Sequence, residues 1–189
     1  MTYAKFKTIF EKKEIPENSK NKMLLNWCKK FSENNLAPCR KNYSCGNLSF
    51  RTRKGMIITA SGIDLMKITE KGLIEVISCN KKNFEVKAIG LKEPSSESFI
   101  HFEIYKKRKE INAVFHGHNE MVLKNAEKFN FTETKKFQEF GTIDLLKEIT
   151  KILKKNNFIL LKKHGFISMG KTLNEAGKLA LKMKKMVKK

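Results

Sequence analysis

The stretch Ile111-Asn-Ala-Val-Phe-His116-Gly117-His118 places two histidines, separated by one glycine, at the end of an apolar run. The β-branched and aromatic residues of this run predict a β-strand over 111–118. Because residues i and i+2 of a strand project from the same face, both imidazoles can reach one metal ion. The His-x-His pattern is a weak signal when it stands alone, since histidines at strand ends are often simply exposed.

A third histidine strengthens the interpretation of a metal site. His164 follows a predicted strand over 158–163 and precedes Gly165, a residue that permits close approach of the backbone. Three of the four histidines therefore lie at strand ends. Imidazole nitrogens suit zinc and its first-row neighbours, and catalytic sites combine three protein ligands with an open position. We predict that His116, His118 and His164 bind a divalent metal, with Zn²⁺ the first choice.

Glu97 is the candidate acid/base or fourth ligand of this site. The stretch 95–108 predicts a helix with Ser95 or Ser96 as its N-cap. A carboxylate in the first turn of a helix is favoured by the helix dipole and can ligate a metal or transfer protons. The alternative is a carboxylate that only begins a helix. His101, four residues on, is interpreted as a packed or supporting histidine and not as a ligand.

Small hydroxyl, amide and glycine residues at predicted turns suggest a site for an anion. Free backbone amides and hydroxyls at turns and helix N-termini can together cradle a phosphate, although serine and glycine also occupy turns for conformational reasons alone. The candidate residues are Gly46, Asn47, Ser61, Gly62, Ser95 and Ser96.

The rest of the chain predicts hairpins and covering helices. Alternating apolar patterns predict two hairpins, over 48–59 and 72–89. Two further strands are predicted over 158–163 and 166–169. Helical periodicity predicts helices over 18–34, 119–129, 142–156 and from Thr172, where Thr172 and Glu175 form a capping box. These elements predict one layered, mixed α/β domain over residues 1–189.

The composition is that of a globular protein with excess lysine. The chain has 189 residues, and 40 Lys and Arg against 19 Asp and Glu give a formal net charge of +21. Because the lysines are dispersed, we interpret the charge as a solvated basic surface, with nucleic-acid binding as the alternative. The apolar runs are shorter than the roughly 18 residues of a membrane span, and the start lacks the apolar segment of a signal peptide. We therefore expect a cytoplasmic protein whose four cysteines are reduced thiols.

The order of the motifs resembles the class II aldolase/adducin family. These motifs are Gly-Asn-x-Ser-x-Arg from Gly46, Thr-x-Ser-Gly from Thr59, Pro-Ser-Ser-Glu from Pro94, His-Gly-His from His116 and His-Gly from His164. The resemblance runs from about Met23 to Lys182, and five motifs in order are much more specific than any one of them. The family includes fuculose-phosphate aldolases, ribulose-phosphate epimerases and methylthioribulose-phosphate dehydratases.

The resemblance implies a fold, a reaction and roles for the site residues. The implied fold is a three-layer α/β/α sandwich around a largely antiparallel sheet, in a homotetramer with active sites at subunit interfaces. The implied activity is cleavage of a small phosphorylated sugar through a metal-stabilised enediolate, a step of carbohydrate metabolism. The three histidines would bind the metal, Glu97 would move protons, and the six residues named above would form the phosphate site.

The chain departs from the family pattern on one side of the site. The stretch 119–140 is shorter than its counterpart in the better-known aldolases and epimerases and lacks the tyrosine that serves them as proton donor. The C-terminal sequence KMKKMVKK has no aromatic residue to replace the tail that closes those sites. The tyrosines of this chain are Tyr3, Tyr43 and Tyr105. Candidates to replace the missing donor are Glu133, Glu139 and Tyr43.

Three other functions remain open from the sequence. The same metal and phosphate residues can support epimerisation or dehydration. An adducin-like, non-catalytic binding domain is a further alternative, although such a domain has no need of three histidines and Glu97. Nucleic-acid binding rests on charge alone, and it would show a steep salt dependence without sequence preference.

Overall fold

A computed structural model describes residues 5–188 of the chain. The helices are α1 (Asn21–Glu33), α2 (Ser98–Lys107), α3 (Glu120–Lys124), α4 (Ile143–Ile152) and α5 (Leu173–Met186), with a 3₁₀ turn at Glu70–Gly72. The strands are β1 (Lys7–Lys12), β2 (Cys39–Arg40), β3 (Tyr43–Ser44), β4 (Gly46–Arg51), β5 (Met56–Thr59), β6 (Leu73–Asn80), β7 (Glu85–Ile89), β8 (Ala113–Gly117), β9 (Phe158–Leu161) and β10 (Gly165–Gly170). Within this range no helix has the length and apolar character to cross a membrane.

Eight of these strands form one sheet in the order β1-β7-β6-β5-β4-β8-β10-β9, and β2 pairs with β3 as a separate ribbon. Every neighbouring pair in the large sheet is antiparallel except β1 and β7, which are parallel. Both predicted hairpins are confirmed as β4–β5 and β6–β7. The strand predicted over 111–118 is the shorter β8, which lies between β4 and β10, and His118 directly follows its last residue.

Two apolar clusters, one on each face of the sheet, define three layers. Strand β8 shows the alternation, because Phe115 packs in the cluster with Trp27 and Phe31 of α1, whereas Val114 packs in the cluster with residues of α2 and α4. Helix α5 covers the same face as α1. The mixed α/β/α sandwich around a largely antiparallel sheet is therefore confirmed. His116 follows this alternation, so its side chain lies on the α2 face.

Packing around Phe115 holds β8 in place. The ring is fully buried and makes an edge contact with Phe31 at 5.3 Å between centroids and a tilted contact with Trp27 at 6.0 Å. Aromatic pairs of this geometry contribute about 0.5–1.5 kcal/mol beyond their area burial. The strand end that carries the two histidines is therefore anchored from the opposite face of the sheet.

The structure corrects several predicted boundaries. Strand β1 was not expected, because its lysine-rich sequence pairs only with the distant β7. The helix predicted over 119–129 is the five-residue α3, which ends where the Asn125 side chain donates to the Met121 carbonyl. Helix α4 ends at Ile152, short of the expected 156.

The helix predicted from Ser95 or Ser96 begins later than expected. Glu97 is the N-cap residue of α2, and the first helical residue is Ser98. Ser95 instead forms the turn before the helix, because its Oγ accepts from the Glu97 amide at 3.3 Å. The expected capping role of Ser95 or Ser96 is therefore wrong.

The capping box at α5 is confirmed in part. Thr172 Oγ1 accepts from the Glu175 amide at 3.1 Å, as expected. The Glu175 carboxylate accepts from the amide of Lys171 at 2.9 Å, one residue before the N-cap.

Candidate metal and phosphate site

The three histidines named by the sequence converge at one end of the sheet. Their ring centroids lie 4.8 Å apart for His116 and His118, 5.0 Å for His116 and His164, and 4.9 Å for His118 and His164. One ring nitrogen from each histidine lies within 4.8 Å of the corresponding nitrogen of the others. His116 lies on β8, His118 directly follows the end of β8, and His164 lies in the turn between β9 and β10.

The tautomer of His116 is fixed by a backbone carbonyl. Its Nδ1 lies 2.9 Å from the Phe166 carbonyl oxygen, which can only accept, so Nδ1 carries the proton and donates it. Burial lowers the pKa of His116 well below its usual value, and the neighbouring His164 lowers it further. The ring is therefore neutral, and the lone pair on Nε2 faces the other site residues.

The groups that face this lone pair are themselves electron-rich. His116 Nε2 lies 2.9 Å from His118 Nε2 and 3.1 Å from Glu97 Oε2. Burial, together with His116 and His164, lowers the pKa of His118 to about 2, so this ring is neutral as well. Because His116 Nε2 has no proton to donate, its close approach to the carboxylate oxygen is unfavourable unless a metal ion or a shared proton lies between them.

Several buried side-chain atoms have no hydrogen-bond partner among the described residues, and two of them belong to the proposed metal ligands. These are Glu97 Oε1 and His164 Nδ1, and both are buried. Glu97 Oε1 lies 3.7 Å from His164 Nε2. Imidazole nitrogens and carboxylate oxygens are the donors that zinc and related divalent ions prefer. The three histidines and Glu97 therefore fit a divalent metal.

Two glycines let the histidines approach one another. A Cβ at Gly165 would lie 2.5 Å from the Gly117 carbonyl and 2.9 Å from His116 Cε1. A Cβ at Gly117 would lie 2.4 Å from the Leu36 carbonyl. That carbonyl accepts from the His118 amide at 2.7 Å. Side chains at either position would force the rings or the backbone apart.

Glu97 is held by a buried amide. Its side chain is only 5% exposed, and Asn47 Nδ2 donates to Glu97 Oε2 at 2.9 Å. Asn47 lies on β4 directly opposite His116 in the register of β4 and β8. The sheet therefore places Asn47 and His116 side by side on the face that α2 covers, and Glu97 at the start of α2 meets both.

The segments expected to hold a phosphate are joined by backbone contacts. Ala60 forms a bridge with Pro94, the Ser61 amide donates to the Glu93 carbonyl at 2.9 Å, and the Ser95 amide donates to the Thr59 carbonyl. Gly62 has φ +66°, a conformation that glycine adopts without strain. Within residues 5–188, the amides of Gly62 and Ser96 donate to no protein group, so both are available to an anion.

One cavity of about 230 Å³ is lined by the whole predicted set. The predicted residues that line it are Gly46, Asn47, Ser61, Gly62, Ser95, Ser96, Glu97, His116, His118 and His164. Sequence reasoning missed Arg40, Cys45 and Phe140, which also line it. The run Cys39–Cys45 carries no motif, and only the pairing of β2 with β3 brings it to the cavity.

The candidates for the missing proton donor are placed differently. Tyr43 lines the cavity, and Glu139 lines an adjoining one and pairs with Lys5 at 3.0 Å. Glu133 forms a bridge with Leu160 and lines neither cavity. Tyr3 lies outside the described residues.

His101 is a packed histidine and lines no part of the cavity, as expected. It is fully buried, and its Nδ1 lies 2.7 Å from Ser49 Oγ. Ser49 Oγ also lies 2.8 Å from the Tyr105 hydroxyl. Burial lowers the pKa of His101 to about 4. The group forms a polar cluster beneath the start of α2.

Comparison with known proteins assigns this chain to a family. Residues 22–188 match the family described as the class II aldolase and adducin N-terminal domain. The chain belongs to the class II aldolase and adducin family. Class II aldolases use a divalent metal, and the three histidines of this chain form a cluster that could hold one.

Relatives in the class II aldolase family are named as sugar-phosphate aldolases. L-fuculose phosphate aldolase from Escherichia coli (strain K12) is 31% identical over 148 residues, which cover 70% of this chain and 66% of that protein. The 5-methylthioribulose-1-phosphate/5-deoxyribulose-1-phosphate aldolase from Escherichia coli O45:K1 is 28% identical over 168 residues, covering 77% and 76% of the two chains. The match thus spans slightly less than two thirds of the fuculose-phosphate enzyme.

A solved structure shows the same fold. The structure of an L-fuculose 1-phosphate aldolase superposes with a TM-score of 0.76 at 24% identity, over 92% of this chain and 85% of that one. This agreement supports the class II aldolase sandwich described above.

Proposed function

We propose that the protein is a metal-dependent aldolase that cleaves a small ketose phosphate by a retro-aldol reaction. The observation that carries this proposal is the single cavity in which three histidines and a buried carboxylate face the Ser61–Gly62 and Ser95–Ser96 turns. Relatives named as sugar-phosphate aldolases support the same reaction class.

His116, His118 and His164 would hold the metal, with Glu97 beside it. When bound, a divalent ion such as Zn²⁺ supplies Lewis-acid polarisation of the substrate's carbonyl and hydroxyl oxygens. The protein's own contribution is orientation. The Phe166 carbonyl aims the His116 ring, and the Gly165 backbone allows the neighbouring rings to converge.

The opposite end of the cavity would bind the phosphate group. The free amides of Gly62 and Ser96 and the hydroxyl of Ser95 supply donors for phosphate oxygens. The net charge of +21 favours the approach of anionic substrates.

Glu97 would move the proton that the reaction requires. In retro-aldol cleavage, a hydroxyl loses its proton as it becomes the aldehyde, and the electron pair of the broken carbon–carbon bond stays with the phosphate-bearing fragment. That fragment then gains one proton on carbon. One carboxylate that accepts and returns a proton balances the reaction, and Glu97 Oε1 accepts no hydrogen bond from any described residue.

Proton exchange in dihydroxyacetone phosphate tests this proposal without knowledge of the aldehyde fragment. We expect the zinc-loaded protein to catalyse deuterium incorporation next to the carbonyl in D₂O, measured by NMR. Glu97→Gln should slow exchange by about 10²–10⁴-fold, the usual contribution of a general base. The matched control is Glu103→Gln, a carboxylate of the same helix that pairs with Lys81 outside the cavity.

Cleavage assays extend the test to whole substrates. The substrates are L-fuculose 1-phosphate and 5-methylthioribulose 1-phosphate, and the product detected is dihydroxyacetone phosphate. Absence of exchange with the metal bound, or full exchange in Glu97→Gln, would contradict the proposal. Light scattering tests the homotetramer that the family resemblance implies.

A further inference from the structure

A second cavity adjoins the proposed site on the side of the histidines. Its volume is about 570 Å³. It shares Arg40, His118, Phe140 and His164 with the first cavity, but none of the serines or glycines of the phosphate turns. A substrate that extends from the phosphate turns past the histidines would therefore enter it.

The walls of this second cavity are predominantly cationic. Lys5, Arg40 and Lys163 line it against one carboxylate, Glu139. Lys5 pairs with Glu139 at 3.0 Å and lies over the Phe140 ring at 4.4 Å, so these two charges offset each other. The side chains of Arg40 and Lys163 form no hydrogen bond and no ion pair with any residue of the range 5–188. Two positive charges therefore face this space without a protein counter-ion.

The position of Arg40 is fixed by the β2–β3 ribbon. Arg40 pairs with Tyr43 across the ribbon, and Lys41 at the turn has φ +59°. The ribbon is tied to the domain because the Cys45 amide donates to the Pro38 carbonyl and the Ser44 amide donates to the Ile63 carbonyl, both at 2.9 Å. Ser44 Oγ also accepts from the Leu65 amide. An arginine on such an anchored turn can act as a specific binding group.

Arg40 also lies beside the proposed metal ligands. It lines both cavities together with His118 and His164. A substrate held at the histidines can therefore reach the arginine.

We propose that Arg40, supported by Lys163, binds a second oxyanion of the substrate at the end opposite the phosphate turns. This inference rests on the proposed function and narrows its substrate class to ketose phosphates that end in a carboxylate or a second phosphate. A guanidinium forms bidentate hydrogen bonds with either group, and an exposed lysine adds charge without that geometry.

Matched ligand pairs test this inference by calorimetry, without turnover. One pair is 5-phospho-D-arabinonate and D-arabitol 5-phosphate, which differ by a terminal carboxylate. The other is ribulose 1,5-bisphosphate and ribulose 5-phosphate, which differ by a second phosphate. We expect the protein to bind the doubly anionic member of at least one pair about tenfold to a hundredfold more tightly, the effect of a charge-assisted hydrogen bond. The pair that shows the preference identifies the terminal group.

Variants of the ribbon separate the role of Arg40 from general charge. Arg40→Gln should reduce the preference to less than threefold, and Arg40→Lys should retain part of it. Lys41→Gln removes one charge from the same turn but lines neither cavity, so it should keep the full preference. The measurements are made on zinc-loaded and on chelator-treated protein, because a carboxylate that binds only zinc would lose its preference when the metal is removed.

The outcomes distinguish this inference from the proposed function. Equal binding within both pairs, or an unchanged preference in Arg40→Gln, would overturn the role of Arg40. A preference that disappears with the metal would overturn it as well. If the singly phosphorylated ligands bind and lose affinity in Ser95→Ala, the phosphate site stands regardless of Arg40. If no phosphorylated ligand binds, both proposals fail.

Discussion

Asn47 Nδ2 donates a 2.9 Å hydrogen bond to Glu97 Oε2, the same oxygen that lies 3.1 Å from His116 Nε2. The amide comes from β4, the carboxylate from the start of α2 and the imidazole from β8. One buried carboxylate oxygen thus connects two strands and the covering helix. We infer that Asn47 holds the Glu97 carboxylate oriented toward the histidines.

Replacing Asn47 by a carboxylate tests this relationship. Asn47→Asp would place two carboxylates about 3 Å apart in a buried site, where both cannot remain ionised and one pKa rises strongly. We expect the rate of proton exchange in dihydroxyacetone phosphate to fall by about 100-fold or more at pH 7. We also expect the pH–rate profile to shift toward higher pH. Asn47→Asp with an unaltered pH–rate profile would show that Asn47 does not control Glu97.

Gly165 is predicted to be intolerant of even one methyl group. A Cβ there meets the Gly117 carbonyl and the His116 ring, and neither is the far end of a flexible side chain. Gly165→Ala should cost about 1–3 kcal/mol of unfolding free energy through overpacking, and it should weaken zinc binding on the order of tenfold. Thermal melting and a competitive zinc titration measure the two effects. If the variant has the stability and the zinc affinity of the wild type, the close approach of the backbone to the histidines is contradicted.

Ser95 and Ser98 provide a matched pair for the phosphate site. Both are buried, but Ser95 lines the cavity, whereas Ser98 Oγ donates to the Ser95 carbonyl at 2.7 Å and does not line it. Ser95→Ala should weaken binding of inorganic phosphate about tenfold, the effect of losing a hydrogen bond to a charged group. Ser98→Ala should change stability by about 1 kcal/mol and leave phosphate affinity intact. Calorimetric titration of both variants decides between the roles, and equal losses of affinity would argue against a direct contact from Ser95.

The burial of His101 predicts that the folding stability of the protein falls in acid. Burial lowers its pKa from 6.5 to about 4, so the unfolded state binds more protons between these values and stability falls as pH decreases through this window. The expected loss is roughly 2 kcal/mol between pH 6.5 and pH 5, at about 1.4 kcal/mol per pH unit. Denaturant unfolding of metal-free wild type and His101→Gln at both pH values isolates this contribution, because the other histidines are common to both proteins. Parallel pH dependences would show that His101 is not buried in neutral form.

Much of the sheet and the position of the site could be predicted from local sequence. The alternation in β4 to β7 specifies two hairpins. The spacing of His116 and His118 brings both to one site, although the strand itself ends at Gly117. The residues expected to bind metal and phosphate line one cavity because each sits at an element end that the antiparallel sheet brings together.

The remaining features depend on long-range contacts that local patterns do not encode. Strand β1 has a polar, lysine-rich sequence and is a strand only because β7 offers a free edge. Arg40 enters the cavity through a two-residue ribbon that no hydrophobic period marks. The hydrogen bond from Asn47 Nδ2 to Glu97 joins β4 to the start of α2 across 50 residues of sequence, and no local pattern marks it.

Metal content per chain, measured by elemental analysis after purification, tests the central claim most directly. The comparison uses wild type, His116→Ala and His101→Gln, since His101 is the histidine of the chain that lies outside the cavity. We predict close to one zinc or other first-row divalent ion per chain in wild type and His101→Gln, and loss of that metal in His116→Ala with the fold retained. Absence of metal from wild type after incubation with excess ion, or full metal content in His116→Ala, would contradict the account of this site as a metal-dependent aldolase centre.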